Sequence, residues 1–456
     1  MFTIALLLLL LLTFFLIYFL PLLNRCPRPR LPSLSPPLLP YSIHPYISLP
    51  YIGPPSFFVS RADFVLSGTR GSPTGNFSFF FGPYHVIALS GPAGRKVHYH
   101  DKRLSFLDGY SALFTGIPPH HDDGDEALDK WLRRMLGVLL KSGNLGRWVG
   151  GLAGVARGQL TSLSLSEKGG GGGEEKEGVM DPFDVIYRLV YRLTVPTFGA
   201  VEITRSEGLL RKTLRMFNHI EEGASPTRIV VPGLPTWAWA RRILAGVRFG
   251  MVVDGIVKDR KKTGRREDDG LQVLLDNGET EMTRLVAFVL AGLFGGQTNT
   301  GVSAAMLLVF LAASPKWQSR VRKEVDAAVR ANRKSKEQTD TEVLASMTLT
   351  EWEVSFPTIE MCSRETIRHH LVGVGFRRNV SNESVPLDTG EVIPPGAVVL
   401  LSIDDTHFDP EFYPDPEKWD PSRFEPEMQE KAPSLPFAGW GAGKHPCCKS
   451  ISLRRT

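Results

Sequence analysis

The chain has 456 residues, room for one large domain or up to three ordinary ones, which excludes a peptide hormone or a disulfide miniprotein. At 42% hydrophobic and 22% charged it reads as a largely soluble, globular body and not as a disordered chain or a multi-span transporter. A net charge of +5 over this length implies no nucleic acid partner, and the four cysteines, Cys26, Cys362, Cys447 and Cys448, are too few and too irregularly spaced for a disulfide framework, so any important one works as a thiol or thiolate.

Residues 2–23 are almost purely Leu, Phe and Ile without a charge, and about 20 such residues at ~1.5 Å each cross a bilayer core. The spacing predicts one transmembrane helix over 1–23. A cleaved signal fits less well, because no basic residue precedes the run and no A-x-A site follows it. Arg25, Arg28 and Arg30 come just after the span, so the positive-inside rule leaves the rest of the chain in the cytoplasm. There the sequons at Asn76, Asn379 and Asn382 go unused. Ten prolines between Pro27 and Pro55 exclude helix and predict a stiff linker over 24–55.

From residue 56 the chain reads as one mainly α domain with a small β region. Short aromatic and apolar runs at 77–81 and 84–89 predict strands. Helical spacing follows at 125–141, 181–198, 205–222 and, long and apolar, at 281–313. Gly292, Gly295, Gly296, Gln297, Asn299 and Thr300 interrupt that last stretch, which predicts a buried central helix and not a second span. The Gly-rich stretch 169–178 reads as a surface loop.

The chemistry gathers near the C-terminus, in Phe437-Ala438-Gly439-Trp440-Gly441-Ala442-Gly443-Lys444-His445-Pro446-Cys447-Cys448. Three glycines allow tight turns and close approach to a flat ligand, and a thiol follows. A zinc site would need further ligands at paired spacing, which the chain does not offer. The loop suggests a metal-ligating cysteine.

This loop resembles that of the cytochrome P450 family of heme-thiolate enzymes, F-x-x-G-x-R-x-C or close to it. Trp440, Gly443, Lys444 and Cys447 fall at matching places, with Gly441 between them. The resemblance implies Cys447 as the axial thiolate of heme b, and Lys444 in place of the arginine that neutralises a propionate. Glu365-Thr366-Ile367-Arg368 looks like the family's E-x-x-R helix, and Phe412 to Phe424 resembles its Y-P-D-P-x-x-F-x-P-x-R-F stretch, which implies a triad of Glu365, Arg368 and Arg423 supporting the heme loop. Trp131 and Arg134 stand where the family often has propionate contacts, and His120 and His121 are weaker candidates of the same kind. The basic residues Lys316, Arg320, Arg322 and Lys323 read as a solvated helix face before a reductase-docking patch.

The long helix then becomes the one crossing the distal heme face. The family's A/G-G-x-D/E-T-T/S aligns with Gly295-Gly296-Gln297-Thr298-Asn299-Thr300, with small residues making room for O2 and Thr298, Asn299 and Thr300 handling oxygen and protons. Here the acid position is Thr298 and the alcohol position Asn299. The run resembles variants in the branch of sterol 14-demethylases, cholesterol 7-hydroxylase and prostacyclin synthase. The resemblance as a whole implies a monooxygenase acting on a hydrophobic small molecule with O2 and an NADPH-dependent cytochrome P450 reductase, held single-pass in the endoplasmic reticulum membrane with its catalytic domain cytosolic. A heme-thiolate isomerase or dehydratase is the alternative. Lys449 stands where the family has a glycine, and the chain stops at Thr456, which reads as truncation after the cysteine loop and raises the further alternative of an inactive remnant.

Overall fold

The computed structural model describes residues 54, 56–81, 84–111, 123–168, 180–223, 226–230, 234–371, 373–431, 437–443 and 447. The expected anchor at 1–23, nearly all of the linker at 24–55, the Gly-rich loop at 169–178, His120, His121, Lys444, Cys448 and Lys449 lie outside these residues.

A five-stranded sheet stands at the N-terminal side of the domain. Strands β1 (Phe77–Phe81) and β2 (Tyr84–Leu89) form a hairpin, as their apolar runs predict. In β1 the alternation of Phe with Ser buries Phe77, Phe79 and Phe81, while Phe80 is exposed and stacks on its cross-strand partner His85 at 4.7 Å. The rest of the sheet comes from far along the chain: β3 (Leu104–Ser105), β4 (Val374–Asn379) and β7 (Val398–Ser402), in the order β1-β2-β7-β4-β3 with β2 and β7 parallel. Strand β7 reads VVLLS and is buried on both faces, as a central strand flanked by two apolar layers should be. Strands β5 (Val385–Pro386) and β6 (Val392–Ile393) pair separately.

Helices make up most of the remainder. Those that frame the site are α1 (Gly91–His100), α2 (Asp123–Leu139), α3 (Pro182–Phe198), α4 (Glu207–Glu222), α5 (Trp237–Thr263), α6 (Met282–Ala313) and α7 (Pro357–His370). The periodicity at 205–222 resolves into two helices, because Ser206 adopts an extended conformation and its hydroxyl caps Leu209 N–H, restarting the helix at Glu207. Asp181 caps α3 in the same way, accepting from Phe183 N–H at 2.9 Å.

Among the described residues α6 alone is long and apolar enough to cross a membrane, and it runs through the core instead, as its interruptions predict. Leu285, Phe288, Val289, Gly292, Leu293, Gln297, Gly301 and Ala305 recur at helical spacing and are buried. Its main partner is α3. A Cβ on Gly292 would run into the ring of Phe198, so the missing side chain is what lets the two helices close. Met135, Leu139, Tyr191, Phe217, Phe249 and Val253 complete this core from α2, α3, α4 and α5.

Candidate functional site

Helix α7 places Glu365 and Arg368 one turn apart, and both are fully buried. Arg368 donates from Nε to Glu365 Oε2 at 2.8 Å and from Nη2 to Oε1 at 2.9 Å, a two-pronged pairing. Its remaining N–H groups reach the carbonyl oxygens of His407 at 2.6 Å and Pro416 at 2.8 Å. Glu365 Oε1 also accepts from Asp420 N–H at 2.9 Å and from Arg423 Nε at 3.3 Å. The structure therefore brings Glu365, Arg368 and Arg423 together. A buried ion pair needs its leftover lone pairs and protons satisfied, and here the backbone at 407–420 supplies the partners.

The triad is tied to the cysteine loop through a residue that sequence reasoning missed. The His407 carbonyl is held by Arg368, while its imidazole Nε2 accepts Ala438 N–H at 3.0 Å and its ring stacks on Phe437 at 5.5 Å. Burial, aided by the nearby Arg368 charge, lowers the His407 pKa to about 4, so the ring is neutral and can act as an acceptor. From Ala438 the loop closes on itself: Gly441 N–H donates to Ala438 O at 2.9 Å and Cys447 N–H to Trp440 O at 2.6 Å. Gly441 and Gly443 have φ of 72° and 66°, the left-handed region the glycine pattern anticipates. The Cys447 side chain is exposed, whereas Cys362 is buried with its thiol pushed up to about 12 by burial. Only Cys447 of these two is placed to act as a ligand.

On its other side the loop rests against α1. A Cβ on Gly443 would collide with the backbone of Tyr99. Next to Tyr99 lies Arg377 of β4, only 6% exposed, which sequence reasoning also missed. Its Nη1 donates to the Phe376 carbonyl at 2.9 Å and its guanidinium lies over the Phe106 ring at 4.8 Å, but among the described residues no carboxylate pairs with it. Burial lowers its pKa to about 10. A buried cation without a counter-ion is costly to keep unless an anion is meant to join it.

Helix α6 presents an open stripe. Ala291, Gly295 and Asn299, one turn apart, are exposed along the helix, and Thr300, exposed as well, points about 100° around the helix from Asn299. A Cβ on Gly295 would meet nothing within 4 Å. Gly296, by contrast, is pressed against Thr194 and Phe198 of α3, so of the two glycines expected to make room for O2 only Gly295 borders open space. Phe294 flanks the stripe and meets Tyr110 edge-on at 6.3 Å. Thr298 is turned away to Glu221 of α4, which its hydroxyl reaches at 2.6 Å.

Trp131 packs on α6, edge-to-face with Phe288 at 6.0 Å and 5.9 Å from the Arg284 guanidinium. Arg134 is exposed, and among the described residues neither has a hydrogen bond, ion pair or ring contact to the cysteine loop. Of the basic residues after α6, Arg320 is engaged structurally, bonded to Glu425 at 2.7 Å and stacked over Trp317 at 4.5 Å.

The donor set fits a heme. An exposed thiol beside a glycine-rich turn, with no cluster of three His, Cys, Asp or Glu among the described residues that could hold a bare ion, suits one axial thiolate. The orphaned Arg377 cation suits an anionic propionate.

The cytochrome P450 family model matches residues 168–448. The chain is 31% identical over 430 residues, 92% of its own length and 82% of the relative's, to cytochrome P450 monooxygenase AacuE of Aspergillus aculeatus. It is 29% identical to cytochrome P450 monooxygenase dmxR5 of a Cryptosporiopsis species, over 87% of this chain and 77% of the relative, and 29% identical to nsrP of Aspergillus novofumigatus, over 88% and 78%. Among solved structures, retinoic acid-bound cyanobacterial CYP120A1 superposes with a TM-score of 0.60 at 19% identity, covering 87% of this chain and 85% of that one, which shows the shared fold.

Proposed function

The chain belongs to the cytochrome P450 family, and we propose that it is a membrane-anchored heme-thiolate monooxygenase that inserts one oxygen atom of O2 into a lipophilic small molecule, with electrons from a separate NADPH-dependent cytochrome P450 reductase. The observation that carries this reading is the exposed Cys447 thiol on a glycine turn braced by the buried Glu365–Arg368 pair through His407. Heme b bound there supplies the electron-rich iron chemistry that a thiolate ligand favours.

The chain's own residues do the rest. Cys447 holds the iron, and Gly441 and Gly443 let the backbone lie close to a flat ring. Arg377 neutralises a propionate from the β4 side. Ala291, Gly295 and Asn299 leave the α6 face low enough for substrate and O2, and Phe294 with Tyr110 gives that face an aromatic wall suited to an apolar ligand. The apolar run at 2–23 supports a single-pass anchor in the endoplasmic reticulum membrane with the body in the cytosol. No G-x-G-x-x-G fingerprint follows a strand, which supports electron supply by a partner protein.

The branch that residues 295–300 resemble contains an isomerase as well as monooxygenases, but the relatives named above are all monooxygenases, which favours the O2-consuming reaction. Reconstitution with a reductase tests it. Ligand-dependent consumption of NADPH and O2, with one labelled oxygen atom from O2 in the product, is expected. Product formation with neither consumed would establish the isomerase or dehydratase reading instead.

A further inference from the structure

Helices α3 and α4 each carry an acid followed by two arginines at four-residue spacing, Asp184, Arg188 and Arg192 on one and Glu207, Arg211 and Arg215 on the other. That spacing sets each trio along one side of its helix. The two helices are clasped at two places. Arg192 is bonded to Glu207, and the Tyr187 hydroxyl is shared between Glu221 Oε2 at 3.1 Å and Asn218 Oδ1 at 3.4 Å. Among the described residues no other hydrogen bond or ion pair joins α3 to α4, and between the clasps they part around a cavity of about 720 Å³.

The cavity has apolar walls and a cationic border. Tyr191 and Leu210, both buried, line it together with Leu189 and Leu214, while Arg188, Arg211 and Arg215 stand exposed around it. All six charged side chains of the two trios line the cavity, so four guanidiniums meet two carboxylates. Arg192 takes Glu207, Arg188 lies 3.0 Å from Asp184 on its own helix, and Arg211 reaches the already engaged Glu207 only at 3.8 Å. Arg215 pairs with no carboxylate among the described residues. A solvated basic face needs no apolar hollow beside it, whereas here the surplus cations border one large enough for a small molecule. Among the described residues none from α6, β4 or the cysteine loop lines the cavity, so it is separate from the candidate heme site.

We infer that this cavity is a second binding site, for a small amphipathic carboxylate. The apolar body of the ligand lies against Leu189, Tyr191, Leu210 and Leu214, and its carboxylate is received by Arg215, with Arg211 one turn away on the same helix. A neutral ligand of the same shape leaves the surplus charge unmet, and a small anion without a body leaves the apolar walls in water. The inference does not depend on the heme-thiolate reading, since neither the walls nor the arginines belong to that site.

Calorimetric titration of the full chain in lipid nanodiscs, with empty nanodiscs as the blank, tests it with 2-naphthoate as the probe. Saturable binding is expected, and 2-naphthalenemethanol, a matching body without the charge, binds at least about tenfold more weakly. Arg215→Gln weakens 2-naphthoate by roughly tenfold and leaves the neutral analogue as it was. The Arg215 side chain is exposed and holds no partner in the fold, so its replacement leaves the far-ultraviolet dichroism unchanged. Asn299→Trp, which obstructs the open face of α6, leaves the affinity for 2-naphthoate as in the wild type. No saturation up to about 1 mM, equal affinity for the charged and neutral probes, or unchanged affinity in Arg215→Gln would each overturn the inference. Loss of binding in Asn299→Trp would overturn it as well, by placing the probe at the α6 face.

Discussion

Arg368 donates from Nη1 to the carbonyl oxygen of His407 at 2.6 Å, and the imidazole of that same His407 holds the Ala438 amide at the start of the cysteine loop. A guanidinium sealed in the core thus sets the position of the start of the cysteine loop through a single intervening residue. The buried Glu365–Arg368 pair has its structural purpose here: it fixes a backbone from which the loop hangs.

Glu365→Gln leaves the Arg368 cation buried without its counter-charge. Chemical denaturation should show a loss of about 3–5 kcal/mol, the cost of breaking a buried pair from one side. Arg423→Ala removes a 3.3 Å contact to Glu365 at the edge of the triad and bonds to the Asp415 and Lys418 carbonyls, but it leaves the Glu365–Arg368 pair intact and should cost less than Glu365→Gln.

His407 gives the fold a pH signature. The unfolded chain takes up a proton below the ordinary histidine value of ~6.5, while the folded chain refuses it until about 4. Its contribution is fully present above ~6.5 and is lost as the pH falls through this window, by about 3 kcal/mol in all. Asp404 works against it: burial raises its pKa to about 6, so its contribution is present at low pH and lost as the pH rises through about 6. Denaturation midpoints compared at pH 7.5 and 5 should therefore fall less in His407→Gln, whose amide oxygen can still accept from Ala438, than in the wild type.

Gly443→Ala tests the loop itself. At φ 66°, and with the Tyr99 backbone where the new Cβ must go, alanine is strained by both torsion and contact. Heme retention during gel filtration should drop sharply while the far-ultraviolet dichroism of the helices stays as in the wild type. Gly441→Ala, with a similar φ of 72°, should weaken retention too.

How much of this was legible in the sequence depends on how local each relationship is. Strands β1 and β2, helix α3 and the burial of α6 follow from alternation, capping and interruption within single segments. The triad could be named because Glu365 and Arg368 are one turn apart and Arg423 sits in a distinctive proline-rich stretch. His407 could not, since its ring finds its partner 31 residues away and a lone histidine carries no pattern. Arg377 sits in a strand, where only the sheet order reveals that both neighbouring faces are covered. The partner of Thr298 is 77 residues upstream, so α6 read alone gives no sign of the α4 carboxylate that its hydroxyl meets.

Arg377 separates structural from ligand-binding cost in one substitution. Arg377→Met removes a buried cation that has no carboxylate partner among the described residues, so the apoprotein should be as stable as the wild type or more so. Heme should nonetheless bind at least about tenfold more weakly, the cost of losing one charge-assisted contact to a propionate. A parallel loss of apoprotein stability and heme affinity would mean that Arg377 is a packing residue.

The most direct test of the account is the absorption spectrum of the reduced protein under carbon monoxide, expressed in membranes with its full sequence. A strongly red-shifted Soret band is expected in the wild type and in Cys448→Ser, and its loss in Cys447→Ser. A band that survives Cys447→Ser, or that vanishes only in Cys448→Ser, would contradict the assignment of Cys447 as the heme ligand.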